Sequence, residues 1–366
     1  MSGVLDGYED WPAYVADARA ERSTGESRLA AALGLVRPSA PPEVRIVGRF
    51  ERDGLEYTEL RWDSSFGPEA TGWLVAPVAA EGAEASAIAS ERLPGVLALH
   101  AHGGQKVVGA EQLLDLGAAS VDPEGSRAFR AQYHEGLAPA GELARRGFAV
   151  LVHDAFLWGS RRFAADRPRA ASGTESAADS SAESAAADRR SVQVEHRVAK
   201  AAGLLGTSIA GTVLHDDLQA LAVLAASDRV DSTRLGVFGF SGGGARAHLL
   251  AAEAPEVSAV VVSCMMTTFT ALVPDRIDQH SWLLLTPGLS TVTDWPDIAG
   301  AVDGQRMLTQ YCLQDHLFDV AGMRAAHAML TERMPLYTGS FHQKGHVFDA
   351  AMQHEAWRFL EGGLRE

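Results

Sequence analysis

Five segments of this chain are mostly continuous apolar runs: "LPGVLALH" (93–100), "GFAVLVHD" (147–154), "RLGVFGF" (234–240), "VSAVVVSC" (257–264) and "RMLTQYCLQD" (306–315). A strand with one wet face alternates apolar and polar residues, whereas an uninterrupted run requires cover on both faces. Helical patterns lie between the runs, and residues 136–146 and 212–227 read as crossover helices. Strands alternating with helices predict βαβ units, a mostly parallel sheet and helices on both of its faces. In open sheets of this kind ligands bind beyond the carboxyl ends of the strands, so the residues just after each run are where chemistry is expected.

The sheet gains an antiparallel edge from residues 43–78, where "EVRIVGRFERDGLEYTELRW" and "ATGWLVAPV" read as short strands and Asp53-Gly54 as a hairpin turn. Residues 1–42 read as an N-terminal helical extension ended by Pro38, Pro41 and Pro42, packing either on its own domain or on a second subunit of a homo-oligomer. Residues 43–366 then form a single domain. Residues 79–92 are a loop of small residues. Residues 166–190 contain no Leu, Ile, Val, Met or aromatic residue, and such a stretch cannot offset its ordering entropy by burial. It is expected to be a mobile surface insertion.

Charge narrows the function classes. The 32 basic residues stand against 47 acidic ones, a net charge of −15, which argues against nucleic acid or an anionic membrane as partner. No segment approaches the roughly 18 apolar residues that a membrane span needs. The N-terminal residues lack a basic region followed by an apolar core, so a cytoplasmic location is expected. Cys264 and Cys312 lack metal-site spacing and read as buried, reduced thiols.

The run 234–240 ends in Gly239-Phe240-Ser241-Gly242-Gly243. A serine flanked two residues away by glycines fits a nucleophile elbow, a strained strand-to-helix turn that lifts the hydroxyl above the sheet. Such a hydroxyl needs an imidazole to take its proton and a carboxylate to orient that imidazole, in the chain order Ser, acid, His. Asp315 lies just past the run 306–313, and His346 follows Gly345 on the loop after a last strand. Asp319 and His342 are the rivals, Asp319 already in a helix and His342 too close to its strand. The competing role for Asp315 itself is a helix N-cap. Donors for an oxyanion are expected from Gly242 and from either His102 or Gly103 in "LALHAHGGQK". The pair His100 and His102 lacks the further ligands a metal would require, and His100 reads as a structural histidine. Arg161 and Arg162 are expected to tie down their own loop in preference to binding a substrate carboxylate. Phe156, Trp158, Phe240, Phe269 and Trp282 stand near the expected mouth, as pocket lining or as core.

These motifs together resemble the α/β-hydrolases grouped with acetyl xylan esterases, dienelactone hydrolases and prolyl-oligopeptidase-type enzymes. The resemblance runs through "LHAHGG" (99–104), "LARRGFAVLVHDAFLWGSRR", "DSTRLGVFGFSGGGARA", "LLTPGLSTVTDWPDIAG" and "GHVFDAAMQHEAWRFL". It covers about residues 93–360 apart from 166–190. Ala101 departs from it, standing where that group often has glycine. The resemblance implies Ser241 as nucleophile, Asp315 as acid and His346 as base, in a serine ester hydrolase that uses no metal or organic cofactor and takes a small-molecule ester. Acyl transfer, lactone, peptide or C–C bond hydrolysis on the same residues, and a silent ligand-binding fold, are the alternatives.

Overall fold

The computed structural model describes residues 7–20, 27–78, 92–163, 190, 193–273 and 276–365. The expected loop 79–92 (apart from Arg92) and insertion 166–190 (apart from Arg190) lie outside the described residues. The described strands are β1 (Val44–Arg52), β2 (Leu55–Trp62), β3 (Ala70–Pro77), β4 (Leu93–Leu99), β5 (Ala149–His153), β6 (Val230–Phe240), β7 (Val257–Ser263), β8 (Arg306–Cys312) and β9 (Tyr337–His342). They form one nine-stranded sheet in the order β1-β2-β3-β5-β4-β6-β7-β8-β9. The pairs β1/β2, β2/β3 and β3/β5 are antiparallel. From β5 through β9 all pairs are parallel. Asp53 (φ 51°) and Gly54 (φ 77°) turn β1 into β2 with both central residues left-handed, the twist that suits a two-residue hairpin.

The apolar runs are continuous because each serves two cores. Leu97 and Leu99 of β4 and Leu151 of β5 face one cluster, while Val96, Ala98, Val150 and Val152 face the other. The helices Ile209–Ala225 and Gly242–Glu253 cover the first face. The helices Pro139–Ala144 and Ala350–Leu364 cover the second, the latter burying Met352, Ala356, Trp357 and Leu360. Each such large side chain contributes on the order of 1.5–3 kcal/mol by leaving water.

Both expected crossover helices are present, with ends set by local chemistry. The first begins at Pro139, since proline is preorganised for the first helical position. The second begins after Ser208, whose hydroxyl accepts the Gly211 N–H as an N-cap. The helix Pro123–Tyr133, capped by Asp122, has no counterpart in the sequence reading. The N-terminal segment packs on its own domain: Tyr8, Trp11 and Val15 join the first core, with Trp11 stacked on Phe66 and tilted against Phe156.

Candidate active site

Ser241 sits where β6 stops and the helix Gly242–Glu253 starts, at φ 56° and ψ −126°. A side chain in that region is strained by about 1–3 kcal/mol, so the surroundings must hold it there. They do so by closeness. A Cβ on Gly239 would meet the Gly243 carbonyl oxygen at 2.0 Å, and one on Gly243 would meet Leu99 O at 2.0 Å. The Ser241 N–H donates to Ser263 O on neighbouring β7 at 2.9 Å. Glycine spacing in the sequence is thus the mark of a helix pressed onto two strand ends.

Asp315 and His346 arrive at the same carboxyl edge of the sheet, after β8 and β9. Asp315 follows β8 in a tight turn, with its own N–H bonded to Cys312 O at 3.0 Å, and is buried. One carboxylate oxygen accepts the Leu317 N–H at 2.9 Å; the other lies 2.6 Å from His346 Nδ1. His346 Nε2 is 2.8 Å from Ser241 Oγ. The partners set the proton positions: Nδ1–H donates to the carboxylate, leaving Nε2 to accept the serine proton. The loop bearing His346 is pinned by the Phe348 N–H to Tyr133 O bond at 2.8 Å and by the Phe240 ring, 4.8 Å from the imidazole.

The rivals are engaged elsewhere. Asp319 caps the helix Val320–Arg333, accepting from Ala321 N and Gly322 N. His342 Nε2 lies 3.1 Å from Glu355. Turn residue is only part of Asp315's duty, since its other oxygen holds His346.

Gly242, first in its helix, has an N–H without an intrahelical acceptor. His102 N stands beside it, 2.7 Å from where a Gly242 Cβ would lie, and has no acceptor among the described residues. At Gly103, φ 66°, an added Cβ would meet the Phe129 ring at 2.7 Å and Gln112 Nε2 at 3.4 Å. Of the two candidates in that loop, His102 N is the one that lies beside Gly242. Its carbonyl accepts from Trp158 Nε1 at 3.0 Å, and its Nδ1 accepts from Gly104 N at 3.1 Å. The ring proton is thereby on Nε2, aimed at Glu195 Oε2, 2.8 Å away. Burial, then the Lys106 ammonium, push this imidazole's pKa down, which keeps it neutral.

His100 is structural: its Nδ1–H donates to Ala101 O and its Nε2 accepts from Ala155 N. Among the described residues no group of three or more metal-type ligands converges. Arg161 is fully buried against Asp216 and the carbonyls of Phe66 and Pro68, and Arg162 bonds Gly159 O. Of the aromatics, Phe240 and Trp282 line the cleft above Ser241, and Phe156 and Trp158 are buried. Phe269 packs against the core. Cys264 and Cys312 are buried free thiols with sulfurs 2.8 Å apart, and burial pushes the Cys264 thiol pKa up.

The cleft holds about 620 Å³. Phe129 and Tyr133, from the helix absent from the sequence reading, form one wall. His280, Trp282 and Phe318 line it as well. Glu195 also lines it, and nothing in its local sequence signals that position. Its contacts reach His102, 93 residues away, and no spacing rule spans that interval.

A parallel sheet with an antiparallel entry, a serine at the β6 elbow and its partners beyond β8 and β9 define the α/β-hydrolase fold, and this chain has it. No family model matches the chain. It is 25% identical over 356 residues to the protein named "Putative hydrolase YtaP" of Bacillus subtilis (strain 168), covering 94% of this chain and 100% of that one. Among solved structures, the acetyl xylan esterase from Paenibacillus sp. R4 is similar at TM-score 0.55 and 18% identity, over 97% of this chain and 95% of the other. A glucuronoyl esterase from Solibacter usitatus reaches TM-score 0.59 at 11% identity, over 97% and 92%. No helix among the described residues is long and apolar enough to cross a membrane.

Proposed function

We infer that this protein is a serine ester hydrolase. The reading rests on one observation: Ser241, His346 and Asp315 form a chain of 2.8 Å and 2.6 Å contacts opening into a cleft beside two backbone N–H groups. In the first step Ser241 Oγ bonds to the ester carbonyl carbon and its proton passes to His346 Nε2. Asp315 stabilises the resulting imidazolium. Negative charge gathers on the former carbonyl oxygen, facing His102 N and Gly242 N, where one such donor is worth about 10²–10³ in rate. Collapse expels the alcohol, which takes the proton from His346, and leaves an acyl-enzyme. Water, deprotonated by His346, then releases the acid and restores Ser241.

The esterase names of the structural neighbours support the reaction type, and the acetyl xylan esterase among them supports a small acyl group. The described residues lining the cleft include no lysine or arginine, which favours an uncharged ester over one bearing a carboxylate. The test is hydrolysis of p-nitrophenyl acetate, butyrate and octanoate beside labelling by a fluorophosphonate. Turnover and labelling should be strongest for wild type on acetate and vanish in Ser241→Ala. A wild type that neither turns over nor labels would instead favour a silent binding fold.

A further inference from the structure

Beside the His102 loop, at the lining of the cleft, lies a buried ionic cluster that the hydrolytic steps do not use. Glu195 and Lys106 have side chains only 6% and 2% exposed, with Glu195 Oε2 2.5 Å from Lys106 Nζ. The same oxygen receives the His102 Nε2–H at 2.8 Å. The other, Oε1, accepts the backbone N–H of Trp282 at 3.2 Å, across the cleft rim. Lys106 Nζ sits 3.3 Å over the centre of the Trp158 ring, and Trp158 Nε1 holds the His102 carbonyl. Two routes thus run from one carboxylate to one peptide: directly through the His102 imidazole, and through Lys106 and Trp158. Burial pushes the Glu195 carboxyl pKa up, but Lys106 and then His102 overcome it and hold it well below the ordinary carboxylate range.

A peptide held at its carbonyl and at its side chain has one group left to present, its N–H. Resting on the hydrolase reading above, we propose that Glu195 is a positioning residue: it fixes the His102 peptide so that its N–H, beside that of Gly242, meets the oxyanion, and it ties that loop to the segment bearing Trp282. Glu195 touches no reacting atom. Its effect falls on the transition state, where charge reaches the carbonyl oxygen, and little on ground-state binding.

The experiment compares p-nitrophenyl acetate with its thionoester, whose C=S sulfur is a poor hydrogen-bond acceptor and gains little from aligned N–H groups. In Glu195→Leu, kcat on the oxygen ester should fall about 30-fold with KM within about threefold, and the preference for oxygen over sulfur should fall about tenfold. Glu195→Gln keeps a carbonyl oxygen for His102 and should lie between wild type and Glu195→Leu. An unchanged oxygen-to-sulfur preference in Glu195→Leu, or a rate within threefold of wild type, overturns the proposal. Should that variant fail to melt cooperatively, Glu195→Gln decides by the same ratio: a fall of about threefold supports the proposal, and no change overturns it. Ser241→Ala separates the two levels. If it still hydrolyses the oxygen ester, the underlying hydrolase reading fails; if it is inactive while the ratio stays fixed, only the role of Glu195 fails.

Discussion

His346 and His153 each stand within hydrogen-bond distance of an aspartate, Asp315 at 2.6 Å and Asp217 at 2.8 Å, yet their surroundings assign them opposite work. Around His153 every polar atom is spoken for. Its Nδ1 lies 3.2 Å from Asp154 O, and Arg246 contacts both its Nε2 and the Asp217 carboxylate. Neither His153 nor Asp217 has any exposed side chain. His346 keeps 11% of its side chain exposed, and its second nitrogen meets a serine hydroxyl at the floor of a cleft. An aspartate beside a histidine is therefore no sign of chemistry. What faces the other ring nitrogen decides.

The sharpest break of this comparison is substitution of the two imidazoles. His346→Ala should lower kcat on p-nitrophenyl acetate by about 10⁴ or more, and Asp315→Asn by about 10³–10⁴. His153→Gln should leave kcat within about threefold while lowering unfolding free energy by about 1–3 kcal/mol. If His153→Gln matched His346→Ala in kcat, the distinction would be lost.

Next in size is Asp217→Asn, which strands the buried Arg246 guanidinium. Urea unfolding should report a loss of about 3–5 kcal/mol, with esterase activity kept in the folded fraction. A loss below 1 kcal/mol would mean that the inner pair is not an obligate one.

Acid offers a third test. Burial pushes His248 from 6.5 down to about 4 and His134 to about 3. Below 6.5 the unfolded chain binds protons that the folded one refuses, so stability falls with falling pH and levels off beneath the folded values. Above 6.5 neither residue contributes. From pH 7 to about 4.5 each should cost on the order of 2–3 kcal/mol. His248→Gln, still able to donate to Trp295 O, should remove one share of that dependence. An undiminished pH slope would show that folded His248 takes up its proton as readily as the unfolded chain does. Smallest is the exposed pair Arg45 and Glu69: Arg45→Ala should shift stability by less than about 1 kcal/mol, read from the same unfolding curves.

The middle of the sheet was legible because burial on both faces writes itself into β4, β5 and β7 as a nearly apolar run. Ser241 was legible because the close approach of Gly243 to Leu99 O excludes a side chain and so leaves a glycine in the sequence. Asp315 and His346 could be singled out by their places after strands. The choice between His102 and Gly103 could not, because it depends on which peptide faces Gly242 across a strand boundary. Glu195 was silent for a related reason: its meaning lies wholly in Lys106, His102 and Trp282, none of them near it in the chain. Helix ends at Pro139 and after Ser208 shifted by a few residues because caps outweigh periodicity there.

The nucleophile and its proton acceptor lie 105 residues apart, and the strand before the acceptor is the last of the described sheet in chain order. During synthesis the serine elbow and the His102 loop, on paired β6 and β4, can form before residue 346 has left the ribosome. A growing polypeptide would then carry a pocket with an inert alcohol in it, and reactivity would switch on only once residue 346 has emerged. Stalled nascent chains should show this, refusing a fluorophosphonate until His346 clears the exit tunnel.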